Sequence, residues 1–260
     1  MADPDLIRLV ARKTGIGLKL LSKDTRISAV LVALRPAFPE AILKGGTALN
    51  RVYLGQAGRG RLSEDIDLDI PGNPSPAGLA RCMPRMEQFD IDLPRTLHRT
   101  VRFDCRFVND FGESDKLRIE FRREDRPFLK AGDELVRSPF IEQATSLFRV
   151  YSLEDIMAQK LLALRDRIEG KDLYDLYHSF EMGPDRRKLQ KAVRLQLEYH
   201  HIPPGEFRVS INSSLQTAEM EVRYIRSSTN HYIPVPLRPD WGILLRTLSA
   251  AVRKACGENT

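Results

Sequence analysis

The sequence predicts an α+β fold, with a sheet-bearing half over residues 1–150 and a mainly helical half over residues 151–260. Two observations carry this. Short apolar runs that alternate with period two, such as Leu117-Arg118-Ile119-Glu120-Phe121, fall before residue 151. Apolar residues at helical spacing open the chain and return in force after Ser152.

Taken in order, residues 5–35 read as helical. Leu6, Leu9 and Val10 share a face, and a second amphipathic stretch runs from Leu18 to Leu34 until Pro36 and Pro39 end it. Ala41-Ile42-Leu43 enters a glycine pair as a short buried strand, and Thr47 to Leu54 fits a helix whose first turn follows the glycines. Gly55 to Gly60 is a loop, and Ile66 to Ile70 is a strand stopped by Pro71-Gly72-Asn73-Pro74. A helix over Pro74–Glu87 follows, then strand-like positions at Ile91, Leu97, Val101, Phe103, Phe107 and Val108. Phe148 to Tyr151 is one more strand. Ser152, with Glu154 and Asp155 behind it, caps a helix carrying Ile156 to Leu164. Further helices are expected from Lys171, over 185–200, and from Trp241 to Ala255, whereas Phe207 to Ile225 reads as polar with strand-like patches.

Composition narrows the class. With 42% hydrophobic and 29% charged residues the chain is an ordinary globular protein. No apolar run is long enough to span a bilayer, and Met-Ala-Asp-Pro-Asp lacks the pattern of a signal peptide, so the cytoplasm is expected. Cys82, Cys105 and Cys256 lack metal-ligand spacing and read as reduced thiols. The net charge of +6 is compatible with a polyanionic partner. Arg186, Arg187, Lys188, Lys191 and Arg194 concentrate it, either as a nucleic-acid contact or as a solvated helix face.

The chemistry sits in two constellations. The first is Lys44-Gly45-Gly46-Thr47 followed by Arg61-Leu62-Ser63-Glu64-Asp65-Ile66-Asp67-Leu68-Asp69. A glycine turn opening a helix presents backbone N–H groups to phosphate, and the Thr47 hydroxyl can add to them. Strand alternation points Asp65 and Asp67 the same way, and Asp69 with them if the strand persists. Paired carboxylates want a cation, and Mg²⁺ prefers one or two carboxylates plus phosphate oxygens. The second constellation is Lys160 to Arg167 followed by Lys171-Asp172-Leu173-Tyr174-Asp175. Lys160 and Arg167, seven residues apart on one helix, are placed to reach phosphate oxygens, with Asp172 orienting either one and Asp175 near the same face.

The order strand, glycine turn, helix, acidic strand resembles the nucleotidyltransferase superfamily that includes DNA polymerase beta. That resemblance implies a mixed sheet with flanking helices and a third carboxylate from a neighbouring strand, for which Glu120 is the candidate. It also implies two Mg²⁺ ions bound by Asp65, Asp67 and Glu120. Gly45-Gly46-Thr47, Asp65-Ile66-Asp67, Lys160-Leu161-Leu162-Ala163 with Arg167, and Lys171-Asp172-Leu173-Tyr174-Asp175 together resemble the AbiEii-type nucleotidyltransferase toxins over roughly residues 5–180. Lys171 stands where that family's pattern usually has Arg.

Membership implies transfer of a nucleoside monophosphate from an NTP, in several members to RNA such as tRNA, and a cognate antitoxin. It makes Asp65, Asp67, Lys160 and Asp172 the expected catalytic set. Gly45, Gly46, Thr47, Ser63, Lys160 and Arg167 become the expected nucleotide contacts, with Lys160, Arg167 and Asp172 supplied by the C-terminal half. Ser63 is either a hydroxyl approaching the triphosphate, open to modification in an inhibited state, or a turn cap. Two other readings stand beside this one: a catalytically silent NTP- or partner-binding module, and a small-molecule nucleotidyltransferase.

Overall fold

The computed structural model describes residues 3–123, 125, 127–141 and 145–255. Cys256 lies outside them. The chain divides into two compact units: residues 1–125, 131–150 and 234–236, and residues 126–130, 151–233 and 237–260.

The first unit opens with α1 (Pro4–Thr14) and α2 (Leu18–Ala37), separated by Gly15, whose φ of 69° takes the left-handed conformation that ends α1. Its sheet is mixed. In chain order the strands are β1 (Ile42–Lys44), β2 (Asp65–Ile70), β3 (Asp90–Ile91), β4 (Arg95–Leu97), β5 (Thr100–Val108), β6 (Ser114–Arg123), β7 (Ala131–Val136) and β8 (Ser146–Tyr151). In space they lie β3-β5-β6-β2-β1-β8-β7, with β4 also on β5. The β2/β6 and β1/β8 pairs are parallel, while β1/β2 and β5/β6 are antiparallel. The α+β expectation holds, and its sheet gains β7, which the charged Ala131–Val136 run does not announce.

Alternation sorts the central strands into two faces. Leu43, Ile66, Leu68, Leu117, Ile119, Phe121, Val101 and Phe103 form the buried apolar face. Phe121 anchors it, with ring centroids 4.7 Å from Phe38 and 6.0 Å from Phe103. The opposite face carries Lys44, Asp65, Asp67, Asp69, Arg118, Glu120 and Arg102.

α2 departs from the amphipathic expectation. Ser22, Lys23, Asp24, Thr25, Arg26 and Ser28 are all buried. Ion pairs make this possible: Arg51 bonds Asp24 and the Ser28 hydroxyl, Arg26 bonds Asp110 at 2.9 Å, and Lys23 reaches Glu64 and Asp115 at 3.2 and 3.1 Å. The helix also passes Pro36, which cannot donate the i−4 hydrogen bond, and ends one residue later at Ala37.

Gly45 and Gly46 lie inside the first turn of α3 (Gly45–Ala48), which continues as a π-helical segment over Leu49–Leu54. The helix expected over Pro74–Glu87 is shorter, α4 (Pro76–Cys82), capped by Ser75 and stopped ahead of Pro84.

The second unit is helical: α5 (Leu153–Asp166), α6 (Gly170–Glu181), α7 (Arg186–Tyr199), α8 (Pro204–Met220), α9 (Val222–Thr229) and α10 (Trp241–Ala255). The strand-like reading of Phe207 to Ile225 is overturned. Phe207, Ile211, Leu215 and Ala218 recur at helical spacing and are the residues buried, while Val209 is 72% exposed. The core gathers Met157, Leu161, Leu173, Leu215, Trp241 and Leu248. Residues 127–130 are pinned to α5 because the Leu129 and Lys130 N–H groups donate to Asp155 at 2.9 and 3.2 Å.

Candidate active site

The polar sheet face builds the first cluster. β1 pairs antiparallel with β2, setting Lys44 opposite Asp67 and Ile42 opposite Asp69. β6 pairs parallel with the other edge of β2, setting Arg118 opposite Asp65 and Glu120 opposite Asp67. Asp65, Asp67 and Asp69 therefore share one face, as the strand persists to Ile70.

Each carboxylate meets a different surrounding. Asp69 is buried and ion-paired with Lys44. Asp65 is forked by Arg118, with Nε to Oδ1 at 2.8 Å and Nη2 to Oδ2 at 2.7 Å. This raises the Arg118 pKa above the ordinary guanidinium value. Glu120 is held by Arg102, the residue opposite it on β5, at 2.7 Å. Asp67 lies against the glycine turn: a Cβ on Gly45 would fall 2.4 Å from its Oδ2. Gly45 has φ 68°, so only glycine suits both the backbone and the space.

The turn is fixed from several sides. The buried Thr47 hydroxyl donates to the Asp65 backbone carbonyl, tying the glycine helix to the acidic strand. A Cβ on Gly46 would stand 3.1 Å from Arg61 Nη2 and 3.2 Å from Ser63 Oγ. Ser63 thus borders Gly46, but β2 starts at Asp65, so Ser63 is not on the strand face. Asn50 accepts from the Arg61 N–H and donates to the Gly46 carbonyl, both at 2.9 Å, which folds residues 55–61 back onto the helix.

The second cluster lies within the helical unit. Lys160 on α5 is buried between Asp172 and Asp175 of α6, at 2.7 and 2.8 Å. Arg167 reaches the other Asp172 oxygen at 3.0 Å, so Asp172 receives both cations. Arg167 is not two turns along the Lys160 helix face. α5 ends at Asp166, and Arg167 is an extended residue whose backbone swings the side chain toward α6. Lys171 stands over the Tyr232 ring at 4.8 Å, a contact that needs charge rather than a guanidinium fork.

Among the described residues no group of three or more His, Cys, Asp and Glu side chains is gathered to hold a metal ion. Two of the three expected ligands, Asp65 and Glu120, are instead held by arginines.

The model of the nucleotidyl transferase AbiEii toxin family, assigned to type IV toxin–antitoxin systems, matches residues 29–249. The chain belongs to that family. It is accordingly a nucleotidyltransferase on a mixed-sheet toxin fold. Among solved structures it is similar to MenT4, a nucleotidyltransferase toxin from Mycobacterium tuberculosis H37Rv, at 18% identity and a TM-score of 0.59, covering 97% of this chain and 94% of that one. It is also similar to JHP933 from Helicobacter pylori, at 18% identity and a TM-score of 0.52 over 93% of both chains. A putative nucleotidyltransferase from H. pylori aligns at 19% identity and a TM-score of 0.52, over 90% of this chain and 94% of that one. These likenesses concern the fold. A search of curated proteins found no significant match. Within the described residues no helix is long and apolar enough to cross a membrane.

Sequence reasoning missed which cations stand beside the acids of the sheet face. Lys44 was singled out with the glycine pair but not its partner Asp69, and Arg102 carried no signal, because cross-strand register decides both partners. Arg118 had one: it shares the Glu120 face.

Proposed function

We propose that this chain is the toxin of a toxin–antitoxin pair and transfers a nucleoside monophosphate from an NTP to an RNA hydroxyl in a Mg²⁺-dependent reaction in the cytoplasm. The observation that carries the reading is the seat of Asp67 against Gly45, a carboxylate able to take a metal beside a turn suited to phosphate.

The donor chemistry suits the metal once the Arg118–Asp65 pair opens. Asp65 and Asp67 offer hard carboxylate oxygens on one strand face, and Glu120 lies directly across from Asp67. Mg²⁺ bound there would neutralise phosphate charge and favour the ionised acceptor hydroxyl. In the reaction the acceptor oxygen bonds to the α-phosphorus while the bond to the bridging oxygen breaks, and pyrophosphate leaves. Gly45, Gly46 and Ser63 would orient phosphates. Asp65 and Asp67 would serve the acceptor side as well, with Glu120 taking the hydroxyl proton. On motif order alone, Lys160 and Arg167 are assigned to nucleotide binding, and Lys160 and Asp172 to the catalytic set.

An RNA acceptor is supported by the surface of the helical unit. Arg186, Arg187, Lys188, Lys191 and Arg194 are exposed on α7, and the Arg186 guanidinium bonds the Lys254 carbonyl at 2.8 Å, which joins Arg253 and Lys254 of α10 to the same basic surface. The family suggests a cognate antitoxin as the protein partner. Incubation with each α-labelled NTP and total cellular RNA tests the proposal. Label on RNA is expected. Label on a small molecule alone, or NTP binding without transfer, would replace it with the small-molecule or silent-module reading.

A further inference from the structure

We propose that Arg118 is a resident counter-ion of Asp65 that a divalent cation displaces, after which its guanidinium serves the nucleotide phosphates. The inference rests on the reading of Asp65 and Asp67 as metal ligands.

Two of the three acids of β2 are matched to cations of graded permanence. Lys44–Asp69 is almost wholly buried, with side chains 13% and 4% exposed, so it stays with the fold. Arg118–Asp65 lies at the surface, at 40% and 30%, where water can take over either partner as the pair opens. Register sets Arg118 directly opposite Asp65 on β2 and opposite Asp104 on β5, and its guanidinium goes to the Asp65 carboxylate. Its fork engages both Asp65 oxygens, so a metal entering at Asp65 meets a cation already there.

The consequence is a positioning role. Arg118 holds the Asp65 carboxylate in one orientation and opposes metal entry in the absence of nucleotide. Once displaced, the planar guanidinium is a bidentate donor suited to phosphate oxygens, so metal and NTP favour each other's binding.

Mn²⁺ titration of the nucleotide-free protein, followed by electron paramagnetic resonance, tests this on wild type, Arg118→Met, Arg118→Lys and Asp67→Asn, with melting curves confirming that each is folded. The guanidinium touches both Asp65 oxygens and repels an entering cation, so Arg118→Met is expected to bind Mn²⁺ about tenfold tighter than wild type. Arg118→Lys, which keeps the charge without the fork, is expected between them. In the same variants the KM for NTP rises, more in Met than in Lys. Unchanged or weaker Mn²⁺ binding in Arg118→Met, with Asp67→Asn still abolishing it, would overturn the inference alone. Equal Mn²⁺ binding by wild type and Asp67→Asn would instead remove the metal reading beneath it.

Discussion

Gly45 is the residue on which the site geometry turns. Its φ of 68° and the Asp67 oxygen beside it leave no place for a Cβ. Gly45→Ala pays about 1–2 kcal/mol for the left-handed backbone, a loss the fold can bear. The carboxylate must also move, and a displacement near 1 Å can cost roughly a hundredfold in rate. The variant is therefore expected to melt only slightly earlier than wild type while its nucleotidyl transfer falls by about that factor. Equal losses in both would make Gly45 merely structural. At this scale the sequence was informative where chemistry is local: the glycine pair and Asp65-x-Asp67 declare themselves by spacing. The counter-cations Lys44, Arg102 and Arg118 do not, because strand register is a long-range property.

α2 shows why some elements were less legible. Its apolar spacing suggested one wet face, yet that face is covered by partners from distant segments: Asp110, Glu64, Asp115 and Arg51. No window of local sequence holds both ends of such a pair. The Arg51–Asp24 pair is fully buried, so Arg51→Met is expected to cost about 3–5 kcal/mol in urea unfolding. Arg51→Met with Asp24→Leu should recover much of that, because no buried charge is then stranded. A double variant no more stable than the single one would contradict this account of α2. The misread α8 has the opposite cause: its local pattern was ambiguous, and tertiary burial chose the helical set Phe207, Ile211 and Leu215.

The start of α5 adds a pH dependence. Burial raises the Asp155 pKa, with hydrogen bonds from Ser152, Leu129 and Lys130 pulling the other way. The folded protein therefore keeps this proton to higher pH than the unfolded chain. The stability contributed is fully present below the unfolded value of 3.8 and is lost as pH rises through the folded one. Asp155→Asn should flatten the pH dependence of the melting temperature across that window, and an unaltered slope would exclude Asp155 as its source.

At the scale of the whole molecule, the α+β class and the family were legible because four short motifs stand in a fixed order along 260 residues. The two compact units contain separate charge clusters, one on the sheet face and one between α5 and α6. In the second, Lys160 is buried by two carboxylates, so truncating it is expected to unsettle the helical unit whatever else it does. Loss of activity in a Lys160 variant is then weak testimony about chemistry. Asp67 is the better probe, being half-exposed and near-isosteric with Asn. The decisive measurement is the rate of label transfer from α-labelled NTP to RNA by folded Asp67→Asn against wild type, with Mg²⁺ present. Wild type is expected to transfer and Asp67→Asn to fall by at least roughly a thousandfold, as for loss of a metal-held transition state. Transfer at the wild-type rate by Asp67→Asn would contradict the assignment of this strand as the catalytic centre.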